Sequence, residues 1–125
     1  RIEERFGITL NLDFDLRAQK SRLVKNRLYI HFDTEFTWPS LDLPYLGDSG
    51  TCYGLRSHFG ILVDGTVVPC CLDKEGTIPL GKIQEKPLRE ILQSPRAIAI
   101  AEGFRQRRLV EELCRHCQYI DRFKE

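Results

Sequence analysis

Five cysteines, at positions 52, 70, 71, 114 and 117, constrain this chain more tightly than any hydrophobic pattern in it. Seventeen residues separate Cys52 from Cys70, two separate Cys114 from Cys117, and Cys70 and Cys71 are neighbours. An odd number of thiols without a secretory signal argues against a disulfide framework. The N-terminus "RIEERFG" is charged and lacks an apolar h-region. No apolar run approaches the roughly 18 residues of a membrane span. The chain therefore reads as cytoplasmic, with reduced thiols that serve as metal ligands or redox groups and no membrane partner. A net charge of +1 over 125 residues gives no general electrostatic case for nucleic acid.

The rest of the sequence sets where those thiols fall. Residues 1–50 contain no cysteine. "LDFDLRAQKSRLVKNR" spaces Leu12, Leu16 and Leu23 in a loosely helical way. "RLYIHFD" alternates as a strand with Leu28, Ile30 and Phe32 on one face. "TWPSLDLPYLGDSG" reads as an irregular linker. In "HFGILVDGTVVPC" two β-branched runs flank Asp64-Gly65, which predicts a hairpin with a type I′ turn. "GTIPLGKI" predicts a further extended piece. "EKPLREILQ" predicts a helix with Pro87 as its first residue, and "SPRAIAIAEGFRQRR" a second with Ser94 as N-cap and Pro95 at N1. "LVEELCRHC" closes the helical region in a Cys-x-x-Cys. The fold class expected is α+β, a small β-hairpin followed by C-terminal helices around a four-cysteine site.

A Cys-x-x-Cys at a helix end can direct two thiolates at one metal atom or cluster. A cysteine after a hairpin supplies a third, and Cys52 ahead of the hairpin a fourth. Thiolate-only sites suit zinc or an iron–sulfur cluster. Structural zinc often uses two compact knuckles, and only one is present, which favours a cluster while leaving zinc open. Thiol exchange through Cys114 and Cys117 is disfavoured, because thiolate activation wants a helix N-terminus in a βαβ setting. Adjacent strand residues point to opposite faces, so Cys70 and Cys71 are not expected to share a site.

Taken in order, Cys52, "GILVDGTVVPC" with Gly65 ahead of Cys70 as a G-x₄-C element, "PLGKIQEKPLREILQSP" and the terminal Cys-x-x-Cys resemble the C-terminal SPASM/twitch domain of radical S-adenosylmethionine (SAM) enzymes. The resemblance covers roughly residues 50–121. It implies that Cys52, Cys70, Cys114 and Cys117 ligate an auxiliary [4Fe–4S] cluster, leaving Cys71 as a buried small hydrophobe, a spare thiol or a capture point in oxidised preparations. It also implies a small-molecule or peptide substrate. Full SPASM domains carry two clusters on seven cysteines, including a C-x₂-C-x₅-C-x₃-C run. No cysteine follows Cys117, so the chain is closer to the one-cluster twitch form. The C-x₃-C-x₂-C motif of the SAM-binding cluster is absent. The implied partner is thus a radical SAM barrel N-terminal to this chain, with SAM bound only in the longer protein and no catalysis by this part alone. On that reading residues 1–50 are the end of a partial TIM barrel plus a linker, and residues 51–125 the auxiliary-cluster domain. The absence of methionine agrees with a piece of a longer protein. The rival reading is a non-enzymatic zinc-binding structural or interaction module using the same thiols.

Other residues carry weaker expectations. His116, inside the Cys-x-x-Cys, is turned away from both thiols by helical geometry and takes a solvated or supporting role. His31 reads as a surface histidine, and His58 lies near the cysteines. Arg105, Arg107, Arg108 and Arg115 form a basic patch that solvates a helix face, neutralises a cluster or binds a phosphate. Trp38 and Tyr45 line a cleft or pack between subdomains.

Overall fold

The chain divides into two compact units, Arg1–Glu35 and Phe36–Glu125, in a computed structural model that describes residues 1–10, 20–33, 35 and 37–123. In the first unit, helix α1 (Ile2–Phe6) ends on Gly7 at φ 58°. Strands β1 (Ser21–Lys25) and β2 (Leu28–His31) form an antiparallel hairpin. Asn26 turns it at φ 54°, a left-handed conformation that asparagine tolerates better than most residues. Leu23 therefore sits on a strand opposite Tyr29, not on the helix its spacing predicts. Local strand pairing across the Asn26 turn overrides a three-leucine pattern whose other members, Leu12 and Leu16, lie outside the described residues.

The second unit begins with an irregular segment, as its prolines and glycines predict. It is fastened to the C-terminal helices by backbone bonds, from Leu46 N–H to the Arg115 carbonyl and from Leu109 N–H to the Asp48 carbonyl. The sheet follows, with β3 (Gly60–Ile61), β4 (Thr66–Val68) and β5 (Gly81–Lys82) antiparallel and β4 central. The Asp64-Gly65 hairpin forms, but not as a two-residue type I′ turn. Leu62 N–H bonds the Thr66 carbonyl, Gly65 N–H bonds the Leu62 carbonyl, and of the two residues only Gly65 has positive φ, at 81°. This is a three-residue loop with glycine in the left-handed position. The Asp64 carboxylate accepts from Thr66 N–H at 3.0 Å, which an aspartate with negative φ can do inside such a turn.

Helix α2 (Leu88–Leu92) uses Pro87 as its N-cap, one position before the place expected. Helix α3 (Pro95–Arg105) starts as its sequence predicts, with the Ser94 hydroxyl accepting from Ala97 N–H. Helix α4 (Glu112–Arg115) is one turn long and runs into a 3₁₀ turn, Gln118–Phe123. Ile78, Ile100, Phe104, Leu109, Leu113 and Ile120 form the core of this unit, and Cys52, Cys114 and Cys117 pack against it. The architecture is α+β, with two small antiparallel sheets and several short helices. Among the described residues there is no barrel.

Candidate metal centre

Cys52 reaches the site through a segment stitched to its neighbours on both sides. Gly50 N–H bonds the Arg107 carbonyl, the Thr51 hydroxyl bonds the Phe104 carbonyl at 2.8 Å, and Leu55 N–H bonds the Pro69 carbonyl. Gly54 lies against the chain just before Cys70, where a Cβ would come within 3.0 Å of the Pro69 carbonyl oxygen and 3.7 Å of the Cys70 Cβ. The two segments approach so closely because position 54 has no side chain.

Cys70 follows β4 after Pro69. Proline cannot donate to a ladder, so the strand ends at Val68 and the chain bends through Pro69 and Cys70 into a turn at Cys71 and Leu72. Strand alternation therefore does not apply to the double cysteine. Cys71, an exposed thiol, lines the same cavity as Cys70. The turn is held by Asp73, which is almost fully buried. Its carboxylate accepts from Thr77 N–H and Ile78 N–H, both at 2.8 Å. Sequence reasoning passed over Asp73, although an aspartate four residues before Thr77 in "DKEGT" carries the signature of a side chain capping its own loop.

Cys114 stands in α4 and Cys117 just beyond it. A bidentate ion pair from α3 fixes the start of α4, with Arg96 Nε to Glu111 Oε1 at 2.7 Å and Nη2 to Oε2 at 2.9 Å. His116 points off the cavity. It bonds the Leu43 carbonyl through Nδ1 and Glu112 through Nε2 at 3.2 Å, and these partners raise its pKa against the opposing effect of burial. It is a strut to the preceding segment, not a solvated residue. His58 does line the cavity, with Nδ1 held at 3.1 Å by the Ser57 hydroxyl. His31 is exposed on β2.

Cys52, Cys70, Cys114 and Cys117 thus border one cavity of about 330 Å³, walled mainly by apolar groups that include Leu72, Phe104 and Ile120. Burial pushes the Cys70 thiol up to about 11. The Leu72 and Asp73 amides pull against this, while Cys52 and Cys117 add to the rise. Cys114 is raised by burial first and then by Cys70, Cys117 and Cys52. Cys117 is raised by burial, opposed by the Tyr119 and Ile120 amides. The amides two and three residues ahead of Cys70 and of Cys117 thus oppose the rise in the same way, and in both loops the amide three residues ahead bonds the cysteine's own carbonyl at 3.3 Å. Metal binding would replace the protons, since thiolate is the ligand form. Among the described residues no three His, Cys, Asp or Glu side chains are drawn together tightly enough to hold a single ion.

A small α+β unit that brings five thiols, Cys71 among them, from three separated segments around one apolar cavity has a donor set suited to a thiolate-bound metal centre. The family model described as SPASM, an iron-sulfur cluster-binding domain, matches residues 52–118, and the chain belongs to that family. No curated protein and no solved structure matches the chain. No helix among the described residues is long and apolar enough to cross a membrane.

Proposed function

We propose that Cys52, Cys70, Cys114 and Cys117 hold a [4Fe–4S] cluster, one thiolate per iron, as the auxiliary centre of a radical SAM oxidoreductase. The observation that carries this reading is the spread of the four thiols around one cavity instead of their convergence on a point. Bonds of about 2.3 Å at tetrahedral angles put the sulfurs of a zinc site roughly 3.8 Å apart. A cluster with one thiolate on each iron spaces its ligands wider. The cavity's volume and apolar wall support the same choice, as does the family's iron–sulfur chemistry.

Such a centre takes up or passes on single electrons, at a potential set by burial and by hydrogen bonds to sulfur. The chain's own residues supply the burial, and backbone amides oppose the pKa rise at two of the thiols. Leu72, Phe104 and Ile120 exclude water. The amides following Cys70 and Cys117 offset part of the negative charge. The domain either accepts an electron from a substrate radical or anchors the substrate, a small molecule or a peptide. SAM cleavage belongs to a barrel encoded ahead of this chain, where a C-x₃-C-x₂-C motif is expected in the same reading frame.

Anaerobic reconstitution with iron and sulfide tests the reading. The expected product binds about four irons and four sulfides per chain and shows the broad visible absorbance of a thiolate-bound cluster. Stoichiometric zinc without iron uptake would instead establish the structural-module alternative.

A further inference from the structure

Another cavity, of about 260 Å³, is also bordered by Cys52. Arg56, Arg107 and Arg122 line it, with Tyr53 and Phe123, and among the described residues no carboxylate does. These arginines come from three places in the sequence, so the cluster of charge is made by the fold and is invisible in the "RQRR" run. Two other members of the sequence's basic patch have partners of their own. Arg105 pairs with Glu102 at 2.8 Å, and Arg115 is held by Glu112 and the Leu109 carbonyl.

Arg107 is placed there against local preference. Helix α3 ends in a Schellman motif, with Arg108 N–H bonding the Gly103 carbonyl at 2.8 Å and Arg107 N–H bonding the Phe104 carbonyl at 3.2 Å. The residue at Arg107's position in such a cap is usually glycine, because it must adopt positive φ. Arg107 does so at 56°. Its carbonyl accepts from Gly50 N–H and from the Ser49 hydroxyl, which ties it to the segment leading into Cys52. A strained backbone position occupied by a side chain that lines a cavity beside the candidate centre points to use of that side chain. The other two guanidiniums are oriented in advance. Arg56 stacks over Tyr53 at 5.5 Å and Arg122 over Tyr119 at 4.8 Å. Stacking leaves the planar fork of donors less freedom to lose on binding an oxyanion.

We propose that this cleft binds an oxyanion, a carboxylate or phosphate carried by the molecule on which the domain acts, and holds it against Cys52. The inference rests on the proposed function only for what Cys52 itself ligates. The test uses the full chain after anaerobic reconstitution, with iron content measured first, and follows binding of inorganic phosphate and of succinate in separate calorimetric titrations. Saturable one-to-one binding of either probe is expected, and the probe that binds identifies the anion class. Arg107→Gly should weaken it at least tenfold without lowering the melting temperature, since glycine suits that backbone, and Arg56→Gln should weaken it similarly. Arg105→Gln, which removes the same charge from an ion-paired site, should change it less than twofold. The proposal is overturned if neither probe saturates, if Arg107→Gly binds as tightly as the parent, or if Arg105→Gln weakens binding as much. Iron uptake without anion binding defeats this inference alone. Anion binding without iron uptake defeats the cluster reading and leaves the cleft standing.

Discussion

The two units of this chain are held by different means. In Arg1–Glu35, α1 has no buried residue and neither strand of the hairpin has one; among the described residues it is held by the β1–β2 ladder, the backbone bonds of α1 and a bond from the Lys25 ammonium to the Phe6 carbonyl. In Phe36–Glu125, Ile91, Ile100, Val67 and Val68 are sealed from solvent, and the loop after β4 is pinned to this interior by Asp73, whose bond from Ile78 N–H is buried. A two-stranded hairpin is marginal by itself in water. A site that must keep four thiols apart yet around one cavity needs a rigid wall, and the second unit supplies one. Every residue assigned to the candidate centre and the anion cleft lies there.

The largest test of that contrast is at the thiols themselves. Cys70→Ser and Cys114→Ala are each expected to abolish iron uptake, while Cys71→Ser keeps about four irons per chain. Iron and sulfide analysis reads this directly. Because Cys71 borders the same cavity as Cys70, the opposite outcome would give Cys71 the ligand role and shift the register by one residue.

Next in size is Asp73. Replacing it with alanine strands the Thr77 and Ile78 amides, each costing about 1–3 kcal/mol where it stays buried. A loss of roughly 2–5 kcal/mol in denaturant titrations is expected for Asp73→Ala, with Asp73→Asn restoring part of it through one remaining carbonyl acceptor. An equally large loss on both substitutions would mean that the charge matters more than the two amides. Arg96→Lys should act more weakly. The lysine keeps the charge but not the bidentate fork on Glu111, and the pair is partly solvated, so less than about 1 kcal/mol is expected. A faster loss of iron to chelator, with little change in melting midpoint, would show that the pair serves the orientation of α4 more than global stability.

The contrast between the units also explains what could be read from sequence. Ser94-Pro95, Asp64-Gly65 and the Pro/Gly segment around residue 45 are punctuated by residues whose backbone limits act locally, and the corresponding helix start, hairpin and irregular segment are found. The type of turn at Asp64 was harder to read, since Asp-Gly fits both a two-residue loop and the longer one that forms. The failure at Leu23 has the opposite origin. Among the described residues its unit has no buried side chain to arbitrate between periodicities, and one turn residue, Asn26, decides the pairing. At the candidate centre the cysteine types and spacing were legible because few chemistries use them. The supports were not. Asp73, the Arg96–Glu111 pair and the Arg56–Arg107–Arg122 cleft depend on contacts between segments far apart in sequence. His116 was legible only as a negative, since helical phase turns it from the thiols without revealing Leu43 as its partner. The double cysteine misled because alternation was assumed to continue past Pro69.

The smallest expected effect comes from removing the first unit. Phe36–Glu125 holds the core, the four thiols and the backbone bonds that position them, including those from Leu46, Gly50 and Leu109. Deleting residues 1–35 should therefore leave iron per chain and the visible spectrum of the reconstituted protein unchanged, and shift the melting midpoint by no more than a few degrees. The exposed apolar groups Leu23, Leu28 and Tyr29 leave with that unit, so the shortened chain should also aggregate less at high concentration. A chain that fails to load iron after this deletion while its circular dichroism keeps the second unit's signature would show that the first unit supplies something the centre needs. The division of labour drawn above would then be wrong at its root, because a unit with no buried residue among those described would be helping to set the geometry of the thiols.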